Sequence, residues 1–416
     1  MGGAALGDGA GGSGMSGKAA SPVVAVVAAT TAAQVAGAMG AAVFPVVAPE
    51  LARVLELEVS SIGYQMSVIY GAAMLGSMSL TWLVARYGGC RTTQIGMACC
   101  VAGMAIGLQA SIPALIIASI LIGIGMSINL PAAGHLLFRF SPPQNRNFIF
   151  SLKQTGVPLA WALMALIAPV VTLTWGWRWA LVLVLLSALV TMLAMQSARE
   201  RWDDDRRSDH PVQARVFDGL RLVWRIPVLR WLGVASFCLA FMQLCVSTFT
   251  VIMLVGEGGY SLIEAGLMLS VAQIAGVLGR IGWGWLADRT GDSLRMLQYL
   301  TAGSLVCCVA IAFLQPGWPV LLTALLFAVF GATAIGWNGL YTAEVARRSP
   351  PGQVSVATGG AMVWNFAGIL AGPTTFTLVY QLVGSYAWTF GFIAVIAVAT
   401  LLALRAGQHA VQGEGA

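Results

Sequence analysis

Residues 63–88 read GYQMSVIYGAAMLGSMSLTWLVARYG, and residues 266–291 read GLMLSVAQIAGVLGRIGWGWLADRTG. The two stretches align without a gap at an offset of 203. Identities include Gly63/Gly266, Ser67/Ser270, Val68/Val271, Ala72/Ala275, Leu75/Leu278, Gly76/Gly279, Trp82/Trp285, Leu83/Leu286, Arg86/Arg289 and Gly88/Gly291. At a slightly longer offset Ser141-Pro142-Pro143 returns as Ser349-Pro350-Pro351, and Cys99-Cys100 as Cys307-Cys308. Coincidence between Gly- and Leu-rich helices does not carry gapless agreement through a polar loop. The chain is read as two related halves.

Composition says where those halves fold. Of 416 residues, 58% are hydrophobic and 9% charged, against about 25% charged in soluble domains. So few charges exclude a disordered chain, a disulfide-stapled secreted domain and an ordinary cytosolic enzyme. A polytopic membrane protein remains. The net charge of +6 is too small for this length to suggest nucleic-acid binding. The seven cysteines fall almost entirely in apolar runs with no CxxC spacing, so they read as buried small hydrophobes. Only His135, His210 and His409 occur, widely spaced and without a nucleophile or metal cluster. No metal, cofactor or enzymatic activity is expected.

A bilayer core about 30 Å thick needs roughly 20 apolar residues per helix. Twelve segments qualify: 22–47, 60–84, 92–110, 113–138, 147–173, 178–197, 229–255, 262–287, 294–314, 318–342, 355–381 and 386–405. The expected organisation is a disordered cytoplasmic tail (1–20, with Met15 an alternative start), a six-helix half (21–197), a central cytoplasmic loop (198–230), a second six-helix half (231–405) and a short cytoplasmic tail (406–416). Lys and Arg concentrate in cytoplasmic loops. With both termini inside, the outer loops carry only Arg53 and Arg178, while the inner ones hold Arg86, Arg91, Arg139, Arg146, Arg289, Arg295, Arg347, Arg348 and others.

The stretch Gly284-Trp285-Leu286-Ala287-Asp288-Arg289-Thr290-Gly291 resembles the G-x-L-A-D-R-x-G loop signature of the major facilitator superfamily. The matching loop after the second helix keeps Arg86 and Gly88 but has Ala85 where the acid usually stands. With the length, the helix count and the repeat, the resemblance covers almost the whole chain. It implies an all-α membrane fold of twelve helices in two pseudo-symmetric halves that rock about a central site. On this reading Asp288, Arg289, Gly284, Gly291, Arg86 and Gly88 form the gating loops. Asp288 would cap a helix N-terminus and hold arginines as a latch; a simple solvated turn is the competing reading.

Charges inside a membrane are costly and point to function. Arg280 lies eight residues before Asp288, about 12 Å into the membrane, and Lys153 sits at a similar depth in the fifth helix. The resemblance places the fifth and eighth helices side by side, so the two cations would face one cavity, with Gln273 and Gln154 beside them. Snorkelling is the competing reading for Lys153, and bonding to backbone carbonyls at a helix break the one for Arg280. Further substrate-binding candidates are Gln34, Asn129, Gln243, Ser247, Trp337, Asn338, Trp364 and Asn365. His135 is the proton-coupling candidate, a structural hydrogen bond being its alternative. Glycines and prolines at Gly123, Gly125, Pro131, Gly156, Pro158, Gly368, Gly372 and Pro373 suggest either kinks or close packing.

The expected function is secondary transport of a small organic anion, a carboxylate first, by proton symport or anion exchange. It resembles the oxalate/formate and monocarboxylate branches in outline, but lacks a Lys on the eleventh helix. Efflux of drugs or other neutral or amphiphilic compounds is the alternative. The drug-antiporter patterns are incomplete, with Ser119 in place of the fourth-helix Arg. A monomer in a bacterial inner membrane is expected, with lipid, substrate and protons as its partners.

Overall fold

The computed structural model describes residues 22–80, 82–142, 149, 152–206, 216–350 and 353–414; the expected tail at 1–20 lies outside them. Among the described residues all regular structure is helical. The first half contains α1 (Pro22–Leu55), α2 (Ile62–Ser79), α3 (Gly89–Gly107), α4 (Ile112–Phe140), α5 (Gly156–Trp175, after one helical turn at 152–154) and α6 (Trp177–Ala194). The second contains α7 (Pro227–Gly256), α8 (Leu262–Thr290), α9 (Ser293–Ala312), α10 (Val320–Ala334, resuming as Asn338–Arg348), α11 (Val354–Val383) and α12 (Tyr386–Glu414). Among the described residues, ten helices are long and apolar enough to cross a membrane by length and composition. The other two, α2 and α3, are less apolar and pack along α4 within the same bundle.

Local chemistry sets the helix limits. Ser261 and Glu264 form a reciprocal capping box at the start of α8, and Gly291 ends it in the left-handed conformation at φ 69°. Asp292 then caps α9 through the Arg295 N–H, and Ser111 caps α4 through the Ala114 N–H.

Several helices overrun their apolar segments. α1 continues past residue 47 to Leu55 with Pro45 and Pro49 inside it. α12 continues past 405 to Glu414, so the stretch expected as a tail is helical over its described part; Gln298 donates to Gln408 there at 2.9 Å. The apolar run marks only what must sit in lipid, and helix-favouring Ala, Arg and Gln residues extend the backbone beyond it. The central interval also holds a short helix, Val216–Arg225, packed along α11.

Most suspected kinks resolve as close packing. α4 runs unbroken through Gly123 and Pro131. A Cβ on Gly123 would stand 2.1 Å from the Ile69 carbonyl of α2, and one on Gly368 2.0 Å from the Phe237 carbonyl of α7. Glycine lets these backbones touch. The break at Thr155, just before Pro158, is real, and so is the unforeseen one in α10.

Candidate functional site

The repeat identities turn out to build the seam between the halves. Ser67 of α2 donates to the Leu370 carbonyl of α11 at 2.7 Å. Its counterpart Ser270 of α8 donates to the Ala162 carbonyl of α5 at 2.9 Å. Gly63 and Gly266 follow the same symmetry. A Cβ at Gly63 would meet the Pro373 carbonyl at 2.4 Å, and one at Gly266 the Ala165 carbonyl at 2.1 Å. Thr377 adds a bond to the Ser60 carbonyl at 2.8 Å, and stacked Phe249 and Phe376, 4.0 Å apart, brace the same end. All these contacts lie toward the face opposite the central segment. Among the described residues, no hydrogen bond joins the halves nearer the central-segment face than Arg280. These bonds hold the two halves together toward the far face.

Arg280 stands where the seam ends. Its Nε donates to the Ile335 carbonyl and one terminal nitrogen to the Gln154 carbonyl, both at 3.3 Å. Each carbonyl is free because its helix is broken. Pro158 has no N–H to give the carbonyl four residues back, which is Gln154. Ile335 lies in the gap between the two parts of α10. In a membrane such groups must be satisfied by neighbours, and one guanidinium serves both. The competing reading of Arg280 is thus realised in part: two donors are committed to backbone, leaving three of the five.

Lys153 is buried, only 4% exposed, and among the described residues it has no ion-pair or hydrogen-bond partner. That burial argues against snorkelling. It directly precedes Gln154, whose side-chain oxygen accepts from Gln34 of α1 at 3.2 Å. The Gln34 oxygen is itself buried without a partner, as are both polar atoms of Asn129. The Asn129 amide lies beside Gly37 and Gly96, whose missing side chains leave it room. An unpartnered buried polar group costs about 1–3 kcal/mol.

In the second half, the Gln243 oxygen accepts from the Trp337 indole N–H at 2.8 Å and from Asn338 at 3.0 Å. This joins α7 to the break in α10. Trp337 itself is fully buried. Gln273, also buried, donates to Ser247 at 3.0 Å. Thr250, seven residues past Gln243 on α7, bonds its own helix at Val246. The structure thus unites Gln243, Trp337 and Asn338, and Gln273 with Ser247. It does not bring Trp364 to them: that ring stacks on Trp224 of the short helix, centroids 5.5 Å apart, with its N–H unpaired. Asn365 is buried on α11 beside it.

The residues expected to form the gating loops also repeat. Arg86 lies 5.9 Å over Trp82 and Arg289 3.9 Å over Trp285, each stacked on its own segment. Gly88 and Gly291 both adopt positive φ, 89° and 69°. Gly284 has open space around it. The side chain of Asp288 lies outside the described residues. Arg347 donates to the Gly291 carbonyl at 3.4 Å, while buried Glu344 pairs with Arg347 and, at 2.9 Å, with Arg348. Sequence reasoning missed Glu344; its spacing of three and four residues before two arginines was the available signal.

In the first half, where Ala85 replaces the acid, Asp203 caps α3 instead. It accepts from the backbone N–H groups of Cys90 and Arg91 at 2.7 and 2.8 Å. Burial pushes its carboxyl above the usual aspartate range, and those two hydrogen bonds pull it partly back. His135 meets Asp205 of the central segment at 2.8 Å, and Arg139 pairs with Asp204 and Asp205. The structural hydrogen bond weighed for His135 is therefore present.

The chain belongs to the Major Facilitator Superfamily, whose family model matches residues 30–373, across both halves. It is 24% identical over 278 residues to an uncharacterized MFS-type transporter of Mycobacterium tuberculosis (strain CDC 1551 / Oshkosh), covering 66% of this chain and 60% of that protein. The chain thus spans less than two thirds of the length of that relative. It is 26% identical over 202 residues to a putative niacin/nicotinamide transporter, NiaP, of Bacillus subtilis (strain 168), covering 47% of this chain and 49% of that one. Among solved structures, a bacterial homolog of the human lysosomal transporter Spinster, inward-facing and unoccupied, superposes with a TM-score of 0.72 at 15% identity, covering 94% and 99% of the two chains. A D-xylose–proton symporter does so with 0.71 at 15%, covering 92% and 97%. At such identities the likeness is one of fold.

Proposed function

We propose that this protein is a secondary active transporter for a small organic anion, a carboxylate first, working by alternating access. The observation that carries the reading is Lys153: a buried cation without a counter-charge among the described residues, next to the carbonyl that Arg280 grips. An unpaired charge in a low dielectric attracts its opposite, and the uncommitted donors of Arg280 suit a carboxylate. Coupling runs by proton symport or anion exchange. The protein sits as a monomer in a bacterial inner membrane with both termini cytoplasmic.

Efflux of neutral or amphiphilic compounds is the second reading. It is favoured by the commitment of Arg280 to two carbonyls and by the uncharged group of Gln243, Trp337 and Asn338. The likeness to the niacin/nicotinamide transporter sharpens the choice, because niacin is an aromatic carboxylate and nicotinamide its neutral amide.

The test is a thermal-shift screen of the purified protein against mono-, di- and tricarboxylates, phosphates, niacin, nicotinamide and cationic drugs, with Lys153→Ala and Arg280→Ala in parallel. A ligand that binds the native state raises its apparent stability. Stabilisation by one carboxylate class, lost in Lys153→Ala, supports the anion reading. Stabilisation by nicotinamide or drugs alone overturns it in favour of efflux.

A further inference from the structure

The short helix Val216–Arg225 has a divided surface. Gly219 and Val223 are buried against α11; a Cβ at Gly219 would stand 2.6 Å from the Val356 carbonyl. Leu220, Arg221, Trp224 and Arg225, at i, i+1, i+4 and i+5, share the outward side. With Trp364 of α11 they line a shallow cavity of about 320 Å³. Trp224 is 52% exposed although an aromatic ring of that size favours burial. It is held flat against Trp364 and flanked by Arg230, whose guanidinium lies 5.8 Å from its ring centroid. Arg221 and Arg225 are both exposed, and neither pairs with a carboxylate among the described residues. Trp364 lines the same cavity, while its indole nitrogen, buried without an acceptor, lies against Gly233 of α7.

The position of this cavity selects its occupant. α7 and α11 each have 30 residues, hence about 45 Å of helix against a hydrocarbon core of about 30 Å. Their ends project into the headgroup region, and the short helix lies at such an end, immediately before Pro227. Exposed Trp224 and half-buried Leu220 beside two guanidiniums form the surface a lipid–water boundary accommodates. Here the cations also flank an apolar recess.

We propose that Leu220, Arg221, Trp224, Arg225 and Trp364 form a binding site for an anionic phospholipid of the adjoining leaflet. The two guanidiniums take the phosphate oxygens, and the acyl chains run down beside Trp224 and Leu220. The occupied site pins the segment that joins the two halves to the membrane surface.

The experiment is native mass spectrometry and thermal unfolding of the full chain in detergent. Phosphatidylglycerol, phosphatidylcholine or inorganic phosphate is titrated into wild type, Arg221→Gln/Arg225→Gln and Arg221→Lys/Arg225→Lys. Each basic residue near an anionic surface is worth roughly a fivefold gain in binding. The glutamine double variant should therefore bind phosphatidylglycerol about 30-fold more weakly, while the lysine variant keeps most of the affinity and controls for folding. Equal retention of phosphatidylcholine by wild type overturns the proposal. So does undiminished phosphatidylglycerol binding by the glutamine variant. Stabilisation by inorganic phosphate alone, without lipid retention, identifies a soluble-anion site and overturns it as well.

Discussion

The carboxylate of Asp203 fills the space that a side chain at Gly88 would need: a Cβ there would stand 2.3 Å from its Oδ1. The contact spans 115 residues and links the central segment to the loop between α2 and α3. Gly88 is required twice over, by that approach and by its φ of 89°. Gly88→Ala should therefore lower stability by about 1–3 kcal/mol, read as a fall in apparent unfolding temperature in detergent. A variant melting with the wild type would show that Asp203 does not hold this place.

Asp203 also makes a pH prediction. Its carboxyl is raised by burial, so just above the ordinary aspartate range the folded state retains a proton that the unfolded state has lost. Its contribution is largest at low pH and declines as pH rises through the raised value. In Asp203→Asn that decline is removed. Subtracting the two stability–pH curves should give a difference in which the wild type loses ground with rising pH across that window. A difference that is flat or of opposite slope would contradict the assignment.

Arg280 should not tolerate Lys. One ammonium cannot reproduce the planar fork that reaches Ile335 and Gln154 and still offers donors to a ligand. Arg280→Lys is expected to lower uptake of the substrate found by the ligand screen at least tenfold. Uptake at the wild-type rate would remove Arg280 from the working site.

Pro158→Ala tests why Arg280 is there. Alanine restores an N–H for the Gln154 carbonyl, which then no longer needs Arg280. The conformer closed at the far face should lose population, seen as slower thiol labelling of a cysteine placed near the central-segment opening. Unchanged labelling would mean that the Arg280–Gln154 bond does not bias the equilibrium.

Removing the buried charge should trade function for stability. Lys153→Met is expected to raise the apparent unfolding temperature by about 2–4 °C while abolishing stabilisation by anions. A variant that is less stable than wild type would show Lys153 to be a structural residue.

Gln243 is the acceptor for two donors, so Gln243→Leu should leave the buried Trp337 N–H unpaired, at about 1–3 kcal/mol, and deprive the half-buried Asn338 amide of its partner. A loss of stability should accompany a quenching change in Trp fluorescence. A melting curve that overlays the wild type would show that these donors find other partners.

The twelve helices and their division into halves were legible in the sequence because lipid imposes a length and a polarity on each segment, and a duplicated chain repeats its constraints. Even the seam was present in it, as the identities Gly63/Gly266 and Ser67/Ser270, although their reason was not visible there. What the sequence could name but not assemble were the polar groups. Gln273 and Arg280 lie on one face of α8, yet one bonds Ser247 and the other two backbone carbonyls. Trp364 and Asn338 look alike as polar positions on cavity helices, yet Trp364 stacks on a helix of the central segment.

Apolar burial depends on periodicity along one helix and can be read locally. A hydrogen bond depends on angstrom-scale distances between helices far apart in sequence, and on which carbonyls their breaks set free. Pro158 in the sequence already implied an orphan carbonyl at Gln154; only the packing of α8 against α5 decided that Arg280 would satisfy it.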